Sequence, residues 1–253
     1  MGSDSDNYLK TVINNNKASS ISIDDSRLTN IKSIISTWAG TQLSNIIKSG
    51  SGAKGTAIKG ISDIDLFISL KSDTKETLKE LYNSLDSYVK SKGIQTKRQN
   101  VSIGIIQSDL NIDLVPGKIQ SGTQNYHSIY VSKKDTWTQT NIKIHIDLIN
   151  HSNRKDEIIL TKIWRKNHSL DFPSIYLELI VIEALKNKTV GDIANNFLSV
   201  LNYLKDEFIN KGIVDPANSN NTISDLLNNS EKQLIVNKAK DSLSQKYWKD
   251  IVW

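Results

Sequence analysis

The chain has 253 residues, enough to bury a substantial core in one or two domains. Its formal net charge of +5, with no dense Lys/Arg block, favours anionic partners such as nucleotides or RNA. It contains no cysteine, which excludes disulfides, thiolate zinc sites and thiol catalysis and fits a reducing, cytoplasmic setting. No apolar run approaches the roughly 18–20 residues of a membrane span, and the polar start lacks a signal-peptide core.

Residues 1–24 are rich in Asn, Ser and Lys and read as a loose arm or short helix. Asp24 or Asp25 is a candidate N-cap for a helix over 25–44, with Leu28, Ile31, Ile34, Ile35, Trp38 and Leu43 at helical spacing. Asn45–Lys48 follows as a short strand and runs into Gly50-Ser51. Gly50-x-Gly52-x-x-Gly55 spells a dinucleotide fingerprint, but Lys59-Gly60 and the next strand arrive too soon for a crossover helix. A Walker A loop fails as well, because Thr56 follows Gly55.

Asp63-Ile64-Asp65 opens a strand expected over 62–70. Alternate side chains of a strand share a face, so Asp63 and Asp65 project together. Two such carboxylates repel unless positive charge lies between them, and a hard divalent cation with oxygen ligands supplies it. The Gly-Ser turn just upstream offers backbone N–H groups and a hydroxyl, which suit a phosphate.

A helix capped at Ser72 or Asp73 is expected over 74–91, ended by Gly93. Strands follow at 101–106 and 111–115 around a turn at Ser108-Asp109, with Pro116-Gly117 closing the hairpin. Asp113 stands mid-strand between Ile112 and Leu114, where a carboxylate is unfavourable without a partner. Asp109 lies in the turn, where Asp is ordinary. Beside the Asp63/Asp65 strand, Asp113 completes three acids, enough for two metal ions roughly 3.5–4 Å apart. A further strand is expected at 126–133. From Thr140 the pattern turns helical, with helices over 143–150, 155–167, 174–187, 190–211 and 231–246 and a polar break at 215–221. The expected fold is α+β (mixed α/β): an arm over 1–24, a lobe with a small mixed sheet over 25–140, a helical lobe over 141–253, and the site in the cleft between the lobes.

With these residues in place, Gly50-Ser51…Asp63-Ile64-Asp65…Asp113 resembles the nucleotidyltransferase superfamily that includes DNA polymerase β. Lys54-Gly55-Thr56-Ala57-Ile58 through Ser62, Trp137-x-x-Thr140-Asn141…His145, Ser174-Ile175-Tyr176-Leu177-Glu178 and Asp215-Pro216…Asn220-Asn221 are similar to its archaeal-type CCA-adding, oligoadenylate-synthase and CD-NTase branches, the last most of all. Two departures stand out: Asn141-Ile142 where those proteins usually carry a Pro, and no tRNA-gripping C-terminal domains.

The resemblance implies a two-metal enzyme using Mg²⁺ or Mn²⁺ and NTPs, ATP among them, to make a cyclic or linear oligonucleotide second messenger in antiviral signalling. Asp63 and Asp65 would bind both ions, and Asp113 one ion beside the attacking hydroxyl. Gly50 and Ser51 would contact the β- and γ-phosphates. Lys162 and Ser174 match positions that hold the triphosphate, and Tyr176 either stacks on the base or packs as a core residue. His145 reads as a structural hydrogen bonder, and Asp215 and Asn220 as loop stitches. Nucleotide addition to an RNA 3′ end or to another macromolecule is the alternative, with RNA as acceptor or activator. An inactive nucleotide- or RNA-binding module is the third reading.

Overall fold

The structure, a computed structural model, describes residues 2–60, 62–123 and 125–253, without the side chains of Gly2 and Ser3. Met1, at the head of the predicted arm, lies outside the described residues. The chain forms two compact units. One takes the chain up to Ala18, the short segment Thr56–Gly60 and Asp147–Trp253; the other takes Ser19–Gly55 and the remainder as far as Ile146. The predicted arm is largely a helix, α1 (Gly2–Asn16), whose Leu9, Val12 and Ile13 are buried in the helical unit.

The sheet-bearing unit runs through α2 (Thr29–Ala39), β1 (Leu43–Lys48), α3 (Gly50–Lys54), β2 (Ile64–Leu70), α4 (Leu78–Ser91), β3 (Thr96–Arg98), β4 (Ile103–Gln107), β5 (Leu110–Ile119), β6 (His127–Val131) and β7 (Thr136–Thr140). The sheet is mixed, with order β1-β2-β5-β4-β3 and with β6 joining β5 to β7. β2 and β5 are its parallel centre, and β1 lies antiparallel to β2. A dinucleotide fold needs a parallel strand after its glycine turn, so the antiparallel β1/β2 pair and the five-residue α3 dispose of that fingerprint. Ile64, Leu66, Ile68, Ile112 and Leu114 are buried in one cluster with Ile31 and Ile35 of α2 and Leu81, Leu85 and Val89 of α4. That side is the core, and the Asp side of β2 and β5 is the opposite one.

Of the boundaries that differ from the sequence reading, three have a clear local reason. Asp25 caps a 3₁₀ turn over Ser26–Leu28 before α2 begins, and Gly40, at φ +50°, ends it. α4 starts at Leu78 because Thr77 and Glu80 form a reciprocal capping box, with Thr77 N donating to Glu80 Oε2 at 2.7 Å. Pro116-Gly117 does not close the hairpin but lies inside β5, where Gly117 pairs with Ser69 and Ile129. A Cβ on Gly117 would stand 2.4 Å from the Phe67 ring, so the glycine serves a close approach rather than a turn. The turn at Ser108-Asp109 is present, both residues having positive φ.

Next comes α5 (Ile142–Ser152), which belongs to the sheet-bearing unit up to Ile146 and to the helical unit from Asp147. The helical unit continues through α6 (Lys155–Asn167), α7 (Ser174–Ala184), α8 (Ile193–Asp206), β8 (Val214–Asp215), β9 (Asn218–Thr222) and α9 (Asn229–Leu243). Every residue of α6 from Glu157 to Trp164 is buried, so that helix has no wet face there. Asp215 does stitch its loop, accepting from Ala217 N at 2.8 Å and Asn221 Nδ2 at 3.1 Å. Asn141 Oδ1 accepts from Ile144 N at 3.2 Å at the start of α5. Among the described residues, no helix is long and apolar enough to cross a membrane.

Candidate active site

Strand register assembles the site. Asp65 is the pairing partner of Asp113 across the parallel β2/β5 pair. Asp113 in turn faces Gly104 on β4, and Gly104 faces Lys97 on β3. Paired residues in neighbouring strands project to the same side, so Lys97, Gly104, Asp113 and Asp65 form one row across one face. Asp63 lies two residues ahead of Asp65, and its charge acts directly on Asp113.

Asp113 is half-buried, and burial holds its carboxyl above the usual carboxylate range, with the Asp63 charge pushing the same way. Hydrogen bonds from Ser102 and Gln99, and the charge of Lys97, pull in the opposite direction. Gln99 Nε2 donates to Asp113 Oδ1 at 2.8 Å and Ser102 Oγ to Oδ2 at 3.3 Å.

The Gly-Ser turn is built against the second acid. Ser49 N donates to the Asp65 backbone oxygen at 2.8 Å, and Gly50 and Ser51 then open α3. Gly50 has φ +61°, and a Cβ there would fall 1.7 Å from Asp65 Oδ2. Only glycine allows that contact.

Three carboxylates and no nitrogen or sulfur donor suit a hard divalent cation, and the mutual repulsion of Asp63 and Asp113 is the kind a cation relieves. The side chains are neighbours rather than a finished ligand cage: among the described residues no group of three His, Cys, Asp or Glu is gathered around one point. A cavity of about 570 Å³ opens beside them, with Asp63, Asp113, Gln99, Lys97 and Asn111 in its lining. Asp65, Gly50 and Ser51 are not part of that lining.

The remaining predicted contacts lie in the helical unit. Lys162, for which the resemblance implies a triphosphate contact, is 1% exposed and donates to Glu178 Oε1 at 2.7 Å and Thr56 Oγ1 at 2.9 Å. Ser174 is exposed at the start of α7, its hydroxyl accepting from Arg165 at 3.1 Å. Tyr176 is wholly buried between Phe172 and Phe208, with ring centroids 5.4 and 5.1 Å away, so of its two predicted roles the core one fits. Gln99, Ser102 and Lys97 escaped the sequence reading. Gly104 carried a signal, since a lone glycine inside a strand marks a close approach.

Comparison with known proteins identifies the family and the fold. The nucleotidyltransferase domain family matches residues 29–198. Cyclic AMP-AMP-AMP synthase of Escherichia coli (strain MS 115-1) is 27% identical over 213 residues, 73% of this chain and 65% of that protein. The chain therefore spans just under two thirds of that curated relative. The structure of E. coli MS115-1 CdnC with ATP has a TM-score of 0.72 at 20% identity, covering 96% of this chain and 90% of the other. The CD-NTase CdnG of Bradyrhizobium diazoefficiens, in complex with GTP, has a TM-score of 0.75 at 11% identity, covering 97% and 94%. At such identities these two structures establish the shared fold.

Proposed function

Because the chain belongs to the nucleotidyltransferase domain family, we propose that it joins NTPs, ATP among them, into a cyclic or linear oligonucleotide second messenger. The observation that carries this reading is the register of Asp65 on Asp113 in a parallel pair, with Gly50 pressed against Asp65. The similarity to a cyclic AMP-AMP-AMP synthase supports the product class and the choice of ATP; a role in cytoplasmic antiviral signalling is what the family resemblance implies.

Asp63 and Asp65 would hold both of two Mg²⁺ or Mn²⁺ ions and Asp113 one of them, and the bound ions would acidify the attacking hydroxyl and offset charge on the leaving pyrophosphate. Gly50 and Ser51 orient the β- and γ-phosphates from the start of α3. Asp113 faces the acceptor hydroxyl. In the helical unit, Lys162 acts through its ion pair with Glu178 rather than by touching nucleotide.

Nucleotide addition to an RNA 3′ end is the second reading, favoured by the net charge of +5. Incubation with all four NTPs and Mn²⁺, with and without total tRNA, separates the two. A small phosphatase-resistant product identified by mass spectrometry is expected. Label migrating with tRNA would transfer the assignment to RNA, and ATP binding without turnover would leave an inactive binding module.

Gly50→Ala tests the turn. Its Cβ collides with the Asp65 carboxylate, and the left-handed backbone itself costs roughly 1–2 kcal/mol. Displacing a reacting group by about 1 Å costs on the order of a hundredfold in rate. Pyrophosphate release should fall by that much while thermal unfolding shows only the backbone penalty. Unchanged turnover would detach Gly50 from the site.

A further inference from the structure

Asp113 is held by a turn that no other part of the proposed mechanism uses. Gln99 follows β3, and its backbone N donates to Ser102 O at 2.9 Å, closing a tight loop into β4. The Gln99 carbonyl accepts from Tyr82 Oη at 2.6 Å and from Ser132 Oγ at 2.9 Å. Tyr82 is a fully buried residue of α4. Asn100 O accepts from Ser132 N at 2.8 Å, and Asn100 Oδ1 from Lys133 N at 3.1 Å. The loop is thus tied to α4, to its own strand neighbour and to the end of β6, so the Gln99 side chain leaves a fixed backbone.

The path from that backbone to Asp113 crosses Gly104. A Cβ on Gly104 would stand 2.7 Å from Gln99 Nε2 and 3.2 Å from Asp113 Oδ1. The gap in the row between Lys97 and Asp113 is therefore the space the amide occupies. A carboxylate oxygen has two lone-pair sites, and an amide N–H takes one while leaving the other for a cation. The amide also favours the ionised carboxylate without adding net charge, which a lysine in its place would do.

We propose that Gln99 is a positioning residue for Asp113, with Gly104 as the vacancy that admits it. The amide fixes the carboxylate's rotation so that its free lone pairs aim at the metal and the acceptor hydroxyl. The proposal rests on the nucleotidyltransferase reading above. Hydrogen-bond partners of ligating carboxylates have a characteristic effect when lost, roughly 10–100-fold in metal affinity or activity.

The test is Gln99→Met, which keeps the length and removes the donor. Binding of Mn²⁺ in the presence of a non-hydrolysable ATP analogue is followed by electron paramagnetic resonance, alongside kcat and KM for ATP and thermal unfolding. Mn²⁺ affinity should weaken by about 10–100-fold, and kcat should fall and partly recover at high Mn²⁺, with KM for ATP little changed. Gly104→Ala should show the same pattern, and the double variant should be no worse than either single one. Wild-type Mn²⁺ affinity and kcat in a folded Gln99→Met protein would overturn the proposal and leave the functional reading standing. If the unmodified protein itself binds no Mn²⁺ with the analogue, both fall together.

Discussion

Asp65→Asn is expected to abolish pyrophosphate release while the protein stays folded. The substitution keeps size and shape, so the sheet loses nothing in packing. What disappears is the charge in register with Asp113, one of the three acids assigned to the cations. Charge stabilisation by a metal is worth several kcal/mol in the transition state, and each 1.36 kcal/mol is tenfold, so a fall of about a thousandfold or more follows. Asp63→Asn should inactivate equally and carry a second signature. The Asp63 charge raises the Asp113 pKa, so removing it should relax Asp113 downward and leave the folded protein no less stable. Acids held together for function are a strain on the fold, and neutralising one relieves it. Turnover at the wild-type rate in either variant, measured as pyrophosphate release with Mg²⁺ or Mn²⁺, would discard the carboxylate assignment.

Glu178→Ala should be among the most destabilising substitutions in the helical unit. Lys162 and Glu178 form an ion pair at 2.7 Å with side chains 2% and 0% exposed. Thr56 completes it, donating to Glu178 Oε1 at 3.3 Å and receiving the lysine at its hydroxyl and at its carbonyl. Removing the carboxylate strands a charged ammonium away from water, at a cost of about 3–5 kcal/mol. For a chain of this size each kcal/mol shifts the melting temperature by roughly 2–4 °C, so a drop on the order of 10 °C is expected. The paired replacement Lys162→Met with Glu178→Leu should recover most of that loss, because no uncompensated charge remains. Thermal unfolding of the two variants beside wild type is the check, and a Glu178→Ala protein as stable as wild type would refute the account. The segment Thr56–Gly60, held in the helical unit partly by this pair, lies in sequence between the Gly-Ser turn and the Asp63/Asp65 strand. Loosening it is therefore expected to lower turnover as well.

Much of the site was legible because its logic is local. Asp63 and Asp65 share a face by strand alternation alone, and Asp113 announced itself as a carboxylate between Ile112 and Leu114. The dinucleotide fingerprint was dismissed on spacing, and the antiparallel β1/β2 pair bears that out. Helix 155–167 matched its predicted bounds. Its Lys162, however, is linked to a triphosphate only through the family resemblance, and α6 is buried all round from Glu157 to Trp164. Only the neighbouring elements decide whether a helix keeps a wet face.

The amino-acid order by itself determined which carboxylates can act together, where the glycine turn precedes them, and that sheet gives way to helix near Thr140. Those properties follow from side-chain periodicity, which any strand or helix imposes within a few residues. The tertiary structure decided that β2 and β5 pair in parallel with Asp65 on Asp113, that Gln99 reaches across Gly104, and that Lys162 meets Glu178. Each of these joins residues 14 to 48 positions apart, a span set by register and burial rather than by local pattern.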